Sequence, residues 1–152
     1  MKLTIELVPS TSWGNNLRTE ANLSKERWDT LRRQSYRNAQ YRCEICSEKG
    51  PTHPVECHEI WHYDDGTKTQ TLKGLISLCP TCHKAKHLGR TLSVESPEVQ
   101  EQVLNKIAVL NEFKHPLQLE LYIESVFSKW EERSQHQWTL DLSWLEAGLD
   151  LT

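Results

Sequence analysis

Residues 41–87 read YRCEICSEKGPTHPVECHEIWHYDDGTKTQTLKGLISLCPTCHKAKH, and they hold all five cysteines and five of the seven histidines of the chain. Two Cys-x-x-Cys pairs bracket the stretch, Cys43 with Cys46 and Cys79 with Cys82. Each pair turns the backbone so that two thiolates converge, and two such pairs complete a tetrahedral zinc site. One CxxC alone is ambiguous with a redox motif, but two such pairs in one stretch point to a metal. A structural zinc on Cys43, Cys46, Cys79 and Cys82 is therefore expected. It would supply folding energy to a segment poor in large aliphatic residues.

Within the stretch, Asp64-Asp65-Gly66 marks a turn. Cys57–His62 is expected to form one strand of a hairpin. Leu72–Leu78 carries the apolar residues beneath the metal module. A helix should start near Pro80, carry Cys82, His83 and His87, and end at Gly89. Strand alternation puts Glu56 and His62 on the face of His58, where Glu56 is a candidate to orient the imidazole and His62 a candidate substitute ligand. Trp61 falls on the opposite face, toward a core; the other reading is a platform on which a base stacks.

Upstream, Leu3, Ile5 and Leu7 alternate with polar residues, a strand pattern stopped by Pro9. Residues 9–22 read as loop. Ser24 is an N-cap for a helix over Lys25–Gln40, with Trp28, Leu31 and Ser35 on one face. Arg33 and Arg37 lie on the others, either as a solvated surface or as phosphate contacts. Downstream, Ser96-Pro97 opens a helix with Val99, Val103, Ile107 and Leu110 in register. A second helix, Leu117–Arg133, follows the break at His115-Pro116. Trp138, Leu140, Leu142 and Trp144 alternate, and this C-terminal strand is expected to pair with the N-terminal one, since a lone strand needs a partner. The fold class is α+β. Residues 1–40 and the acidic helical hairpin with its strand, 91–152, flank a 41–90 module, all packed as one domain.

The chain has 152 residues and a net charge of −3, which at first speaks against nucleic acid. Its distribution says otherwise. Residues 1–90 carry 14 Lys and Arg against 10 Asp and Glu, whereas 91–152 carry 4 against 11. The basic half suits salt-sensitive phosphate contact, and the acidic half suits a protein partner or a second copy of the chain. CxxC thiols imply a reducing compartment, and the sequence has neither a long apolar run nor a signal-peptide pattern. The expectation is a cytoplasmic protein without membrane contact.

ECHEIW at 56–61, GLISLCPTCHKAKH at 74–87 and the flanking Cys43 and Cys46 resemble the HNH nucleases, which share the ββα-metal fold. The resemblance covers about residues 41–90. It implies a DNA endonuclease with His58 as general base and a divalent ion held by His83. The colicin-type members add a ligand four residues on, which is His87 here. The residue before the base often ligates the ion, which makes Cys57 a candidate ligand. Lys84 and Lys86 become candidate phosphate contacts. Where the family has an asparagine that orients the base histidine, this chain has Gly74. The second ion is expected to be Zn, Ni, Mg or Mn, and imidazole with a thiolate favours Zn or Ni over Mg by ligand type.

Overall fold

A computed structural model describes residues 2–19 and 22–149. Among them are six α-helices and one three-stranded sheet, a mixed α+β fold. The first helix, α1, spans Lys25–Asn38, and Ser24 caps it by accepting a hydrogen bond from the Arg27 amide. Gln40 and Tyr41 then take left-handed φ of 55° and 58°, which turns the chain into the first cysteine pair.

Strand β1, Glu56–Asp64, and strand β2, Thr69–Leu78, form the expected antiparallel hairpin. Asp64 closes its turn by accepting from the Gly66 and Thr67 amides at 2.9 and 3.1 Å. The pairing slips between Ile60 and Trp61, opposite Gly74 and Leu72. Helix α2, Pro80–Lys86, begins directly after the hairpin. Its N-cap is Cys79, whose sulfur accepts from the Cys82 amide at 3.4 Å, and Pro80 fills the first turn, where a missing N–H costs nothing. One sulfur therefore serves both helix start and thiol cluster.

Gly89 does not end this helix. The chain breaks at His87 (φ −102°, ψ 49°) and restarts as α3, Leu88–Val94, with Gly89 inside it. Helix α4, Pro97–Leu110, is capped by Ser96. Helix α5, Pro116–Arg133, is capped by His115 in a reciprocal arrangement with Gln118. Strand β3 is Thr139–Asp141, and α6 is Trp144–Leu149.

The expected pair of terminal strands does not form. β3 adds to β2 in parallel, Thr69 opposite Thr139 and Thr71 opposite Asp141. The N-terminal residues are not a strand. Leu3 and Ile5 are buried as the alternation implies, but their backbone is satisfied in other ways. The Ile5 amide donates to the Tyr122 hydroxyl at 2.9 Å. Asn111 donates to the Leu3 carbonyl at 2.9 Å, and the Glu6 amide donates to the Lys86 carbonyl at 3.0 Å. Side chains of the helical hairpin and the end of α2 do the work of a neighbouring strand.

One core joins Leu3 and Ile5, Leu78 of β2, Ala85 of α2, Leu88 of α3, and Val103 and Ile107 of α4. A second core gathers Leu17, Leu23, Leu31, Leu72 and Leu145. The hairpin feeds both, through Leu78 and Leu72. No helix among the described residues is long and apolar enough to cross a membrane.

Candidate metal centres and the adjoining cavity

The sulfurs of Cys43, Cys46, Cys79 and Cys82 lie within 4.8 Å of one another, and all but Cys46 are buried. Zinc–sulfur bonds of about 2.3 Å in a tetrahedron place sulfurs roughly 3.8 Å apart. The Cys46–Cys79 separation is 3.7 Å, so the set fits such an ion closely. Hydrogen bonds from Cys79 and Cys82 hold the Cys43 thiol far toward its thiolate, while the Cys82 thiol is pushed up by its bonds to Cys43 and Cys79. Lys106 of α4 stands over the cluster, 3.7 Å from the Cys79 sulfur and 2.5 Å from the Glu48 carboxylate. A cation there offsets the charge of clustered thiolates.

The second cluster is made of histidine. His58 projects from β1, His83 from α2 and His87 from the break after α2. Their ring centroids are 5.0, 5.1 and 5.4 Å apart, close to an equilateral triangle. One nitrogen from each lies within 4.8 Å of the others. The four-residue spacing places His83 and His87 on one side of the helical turn. Hairpin pairing brings Ile76 opposite His58, and the hairpin's end launches α2 so that it lies beside that residue.

His58 is only 4% exposed, and burial pushes its pKa down against the opposing pull of Glu6. Burial, then the neighbouring His58, His83 and Arg18, pushes His87 down to about 3. These two rings are therefore neutral at neutral pH, the form that coordinates metals. His87 makes no side-chain hydrogen bond among the described residues, which leaves both its nitrogens uncommitted. With one side open to a cavity, the cluster can hold an ion on His83 and His87, with or without His58, and leave a position free. Imidazole donors suit zinc, nickel, copper or iron.

Two carboxylates back the rings. Glu56 Oε1 sits 3.0 Å from His83 Nδ1, and Glu6 Oε1 sits 3.4 Å from His58 Nε2. Burial would raise the Glu6 carboxyl, but hydrogen bonds from His58 and Lys86 bring it down to about 2. The His83 contact likewise lowers Glu56. Carboxylates on ring nitrogens fix tautomer and orientation. Glu56 thus orients His83 rather than the expected His58, and the orienter of His58 is Glu6. No sequence signal marks Glu6. It lies 52 positions away, in an alternating stretch that reads as an exposed strand face.

Other expectations separate here. Cys57 stays outside the histidine trio, and burial pushes its thiol up to about 12 against a smaller opposing pull from Ser35 of α1. Adjacent strand residues face opposite sides, which is the physical reason Cys57 and His58 part. His62 is exposed and also outside the trio. Lys86 is not free to meet phosphate. It is buried, ion-paired to Glu6, and donates to Thr4 Oγ1 at 2.7 Å. Lys84 is partly exposed, and Arg33 and Arg37 are exposed on α1. Gly74 packs under the Trp144 indole, about 3.9 Å from where a side chain would begin.

A cavity of about 670 Å3 opens beside the trio and includes His58, His83 and His87 in its wall. Glu59 is also there, accepting from the Leu17 amide at 2.7 Å and from the Trp61 indole at 3.2 Å, with its carboxyl pushed up by burial. Comparisons with family models, with curated proteins and with solved structures find no match.

Proposed function

We propose that the chain is a metal-dependent endonuclease of the HNH type that hydrolyses phosphodiester bonds in DNA. The observation that carries this reading is the convergence of His58 from a β-hairpin with His83 from the next helix and His87 at that helix's end, on the wall of an open cavity. That order, two strands and then a helix, supports the reading, because the HNH nucleases that the sequence resembles share a ββα-metal fold. The adjoining four-cysteine cluster holds the hairpin and the helix together, because Cys79 and Cys82 start α2 while Cys43 and Cys46 precede β1.

His83 and His87 would hold a divalent ion, and Glu56 fixes the His83 ring for that role. When bound, the ion supplies a Lewis acid for the phosphate and stabilises the leaving 3′ oxygen. His58 is neutral, so it accepts a proton from the attacking water. Glu6, held by Lys86, accepts a hydrogen bond from one His58 ring nitrogen and thereby presents the other nitrogen as the base. This is the orienting role that the family gives to the asparagine missing at Gly74. Exposed Arg33 and Arg37, with Lys84, supply phosphate contacts from the basic half of the chain.

The test is plasmid cleavage with Mg, Mn, Ni and Zn, on wild-type protein and His58→Ala, with metal content measured on both. A base contributes roughly 10^2- to 10^4-fold. The expected result is two bound ions per chain in each protein and cleavage lost to that extent in the variant. Loss of the second ion in His58→Ala would make His58 a ligand and overturn its role as base. One tight zinc and no cleavage with any ion would make the chain a zinc-stabilised binding module.

A further inference from the structure

The cavity extends beyond the histidines. Trp13, Trp28, Trp61 and Trp130 line it, and so do Arg18 and Arg90. The indole N–H groups of Trp13 and Trp130 both donate to one carbonyl, that of Val8, at 3.0 and 2.9 Å. The Trp61 N–H goes to Glu59. These polar handles are consumed by the protein, which pins the rings and leaves their faces for contact. Trp13 is pinned yet 65% exposed, an arrangement that gains little from core packing. Arg18 and Arg90 are exposed, and neither guanidinium has an ion pair among the described residues. The volume falls in the range of organic-ligand pockets, about 300–1,000 Å3.

We propose that this part of the cavity receives an unpaired nucleobase of a DNA strand, stacked on Trp13, with Arg18 and Arg90 on the neighbouring phosphates. The proposal rests on the nuclease reading and narrows its substrate to DNA with a single-stranded or splayed nucleotide at the cleaved bond. A base inside a duplex is already stacked on both faces and offers only its edges to a protein. An unpaired base offers a π-face, which pinned indoles accept regardless of base identity. The site therefore selects strand state rather than sequence.

Fluorescence anisotropy tests this with the full chain, in its zinc-loaded form and without a second added ion. The probes are a labelled single-stranded 12-mer, the same strand as a duplex, and the same strand with abasic positions. The single strand is expected to bind at least tenfold tighter than the duplex at equal salt. Trp13→Ala should weaken the single strand by roughly 5- to 100-fold and leave the duplex within about twofold. Abasic strands should bind wild type as weakly as the intact strand binds the variant. Trp13→Phe keeps a ring and should restore much of the affinity, which loss of structure at position 13 would not allow. Equal affinity for single strand and duplex, or an unchanged affinity in Trp13→Ala, overturns the proposal. The two readings fail separately. Duplex cleavage without strand preference sinks the base pocket alone, and strand binding through Trp13 with no cleavage under any ion sinks the nuclease alone.

Discussion

The four-cysteine cluster and the three-histidine cluster share helix α2, yet they differ in closure. The cysteines offer four ligand atoms, are mostly buried, and have Lys106 of α4 over them. The histidines offer three, and their open side faces the cavity. A closed tetrahedral set has no place for a substrate and acts on folding. An open set, with His83 and His87 for an ion and His58 left as the base, leaves positions for chemistry. The contrast also shows in the supporting groups. A cation backs the thiols, where charge accumulates, and carboxylates back the imidazoles, where tautomer and orientation matter.

The sharpest way to break the contrast is at the closed site. Cys82→Ser is expected to abolish cooperative folding, because structural zinc contributes on the order of 10 kcal/mol, comparable to the whole stability of a domain. A thermal melt checks it, and a cooperative transition near the wild-type temperature would refute a folding role. At the open site the opposite is expected. His87→Ala should lower plasmid cleavage by about 100-fold or more while the melting temperature moves only a few degrees and the cysteine-bound zinc stays.

Smaller effects sharpen the comparison further. Glu6→Gln removes the charged partner of His58 and should reduce cleavage by roughly 10- to 100-fold with both ions retained. If Glu6 merely anchors the N-terminal segment, stability falls and the rate per folded molecule does not. Cys57→Ala should leave metal content at wild-type values, and loss of the second ion would return Cys57 to the ligand set. The smallest effect lies away from both clusters. Arg133, with help from Lys129, holds the Asp65 carboxyl down to about 2. A depressed carboxylate contributes stability above its unfolded pKa of about 3.9, and that contribution is lost as pH falls through about 2. Asp65 is more than a third exposed, so solvent screening limits the gain to about 1 kcal/mol or less. Asp65→Asn should melt slightly below wild type at pH 7, and the gap should close between pH 4 and pH 2.

Much of this architecture was legible in residue patterns. Ser24, Ser96 and the Pro residues after Cys79, Ser96 and His115 place helix starts, because capping is a local interaction. Asp64-Asp65-Gly66 places the hairpin turn for the same reason. The N-terminal stretch misled because alternation reports which side chains are buried, not what satisfies the backbone. Leu3 and Ile5 alternate correctly, but Tyr122, Asn111 and the end of α2 replace a partner strand. Cys57 misled in the other direction. Its place next to His58 suggested a shared ion, whereas strand geometry turns neighbours to opposite faces.

The sequence alone was enough for the grouping of the four cysteines, the hairpin, the helix that carries His83, and the register of the helical hairpin. All of these depend on spacings of a few residues, or on ligand types whose chemistry leaves few alternatives. Tertiary structure alone decided that Glu6 backs His58, that Lys86 is consumed by Glu6, and that tryptophans from four separate stretches line one cavity. Those contacts join residues up to 122 positions apart, as the Trp130 indole and the Val8 carbonyl are. Their partners are set by how helices pack on the hairpin, and no local period records that packing.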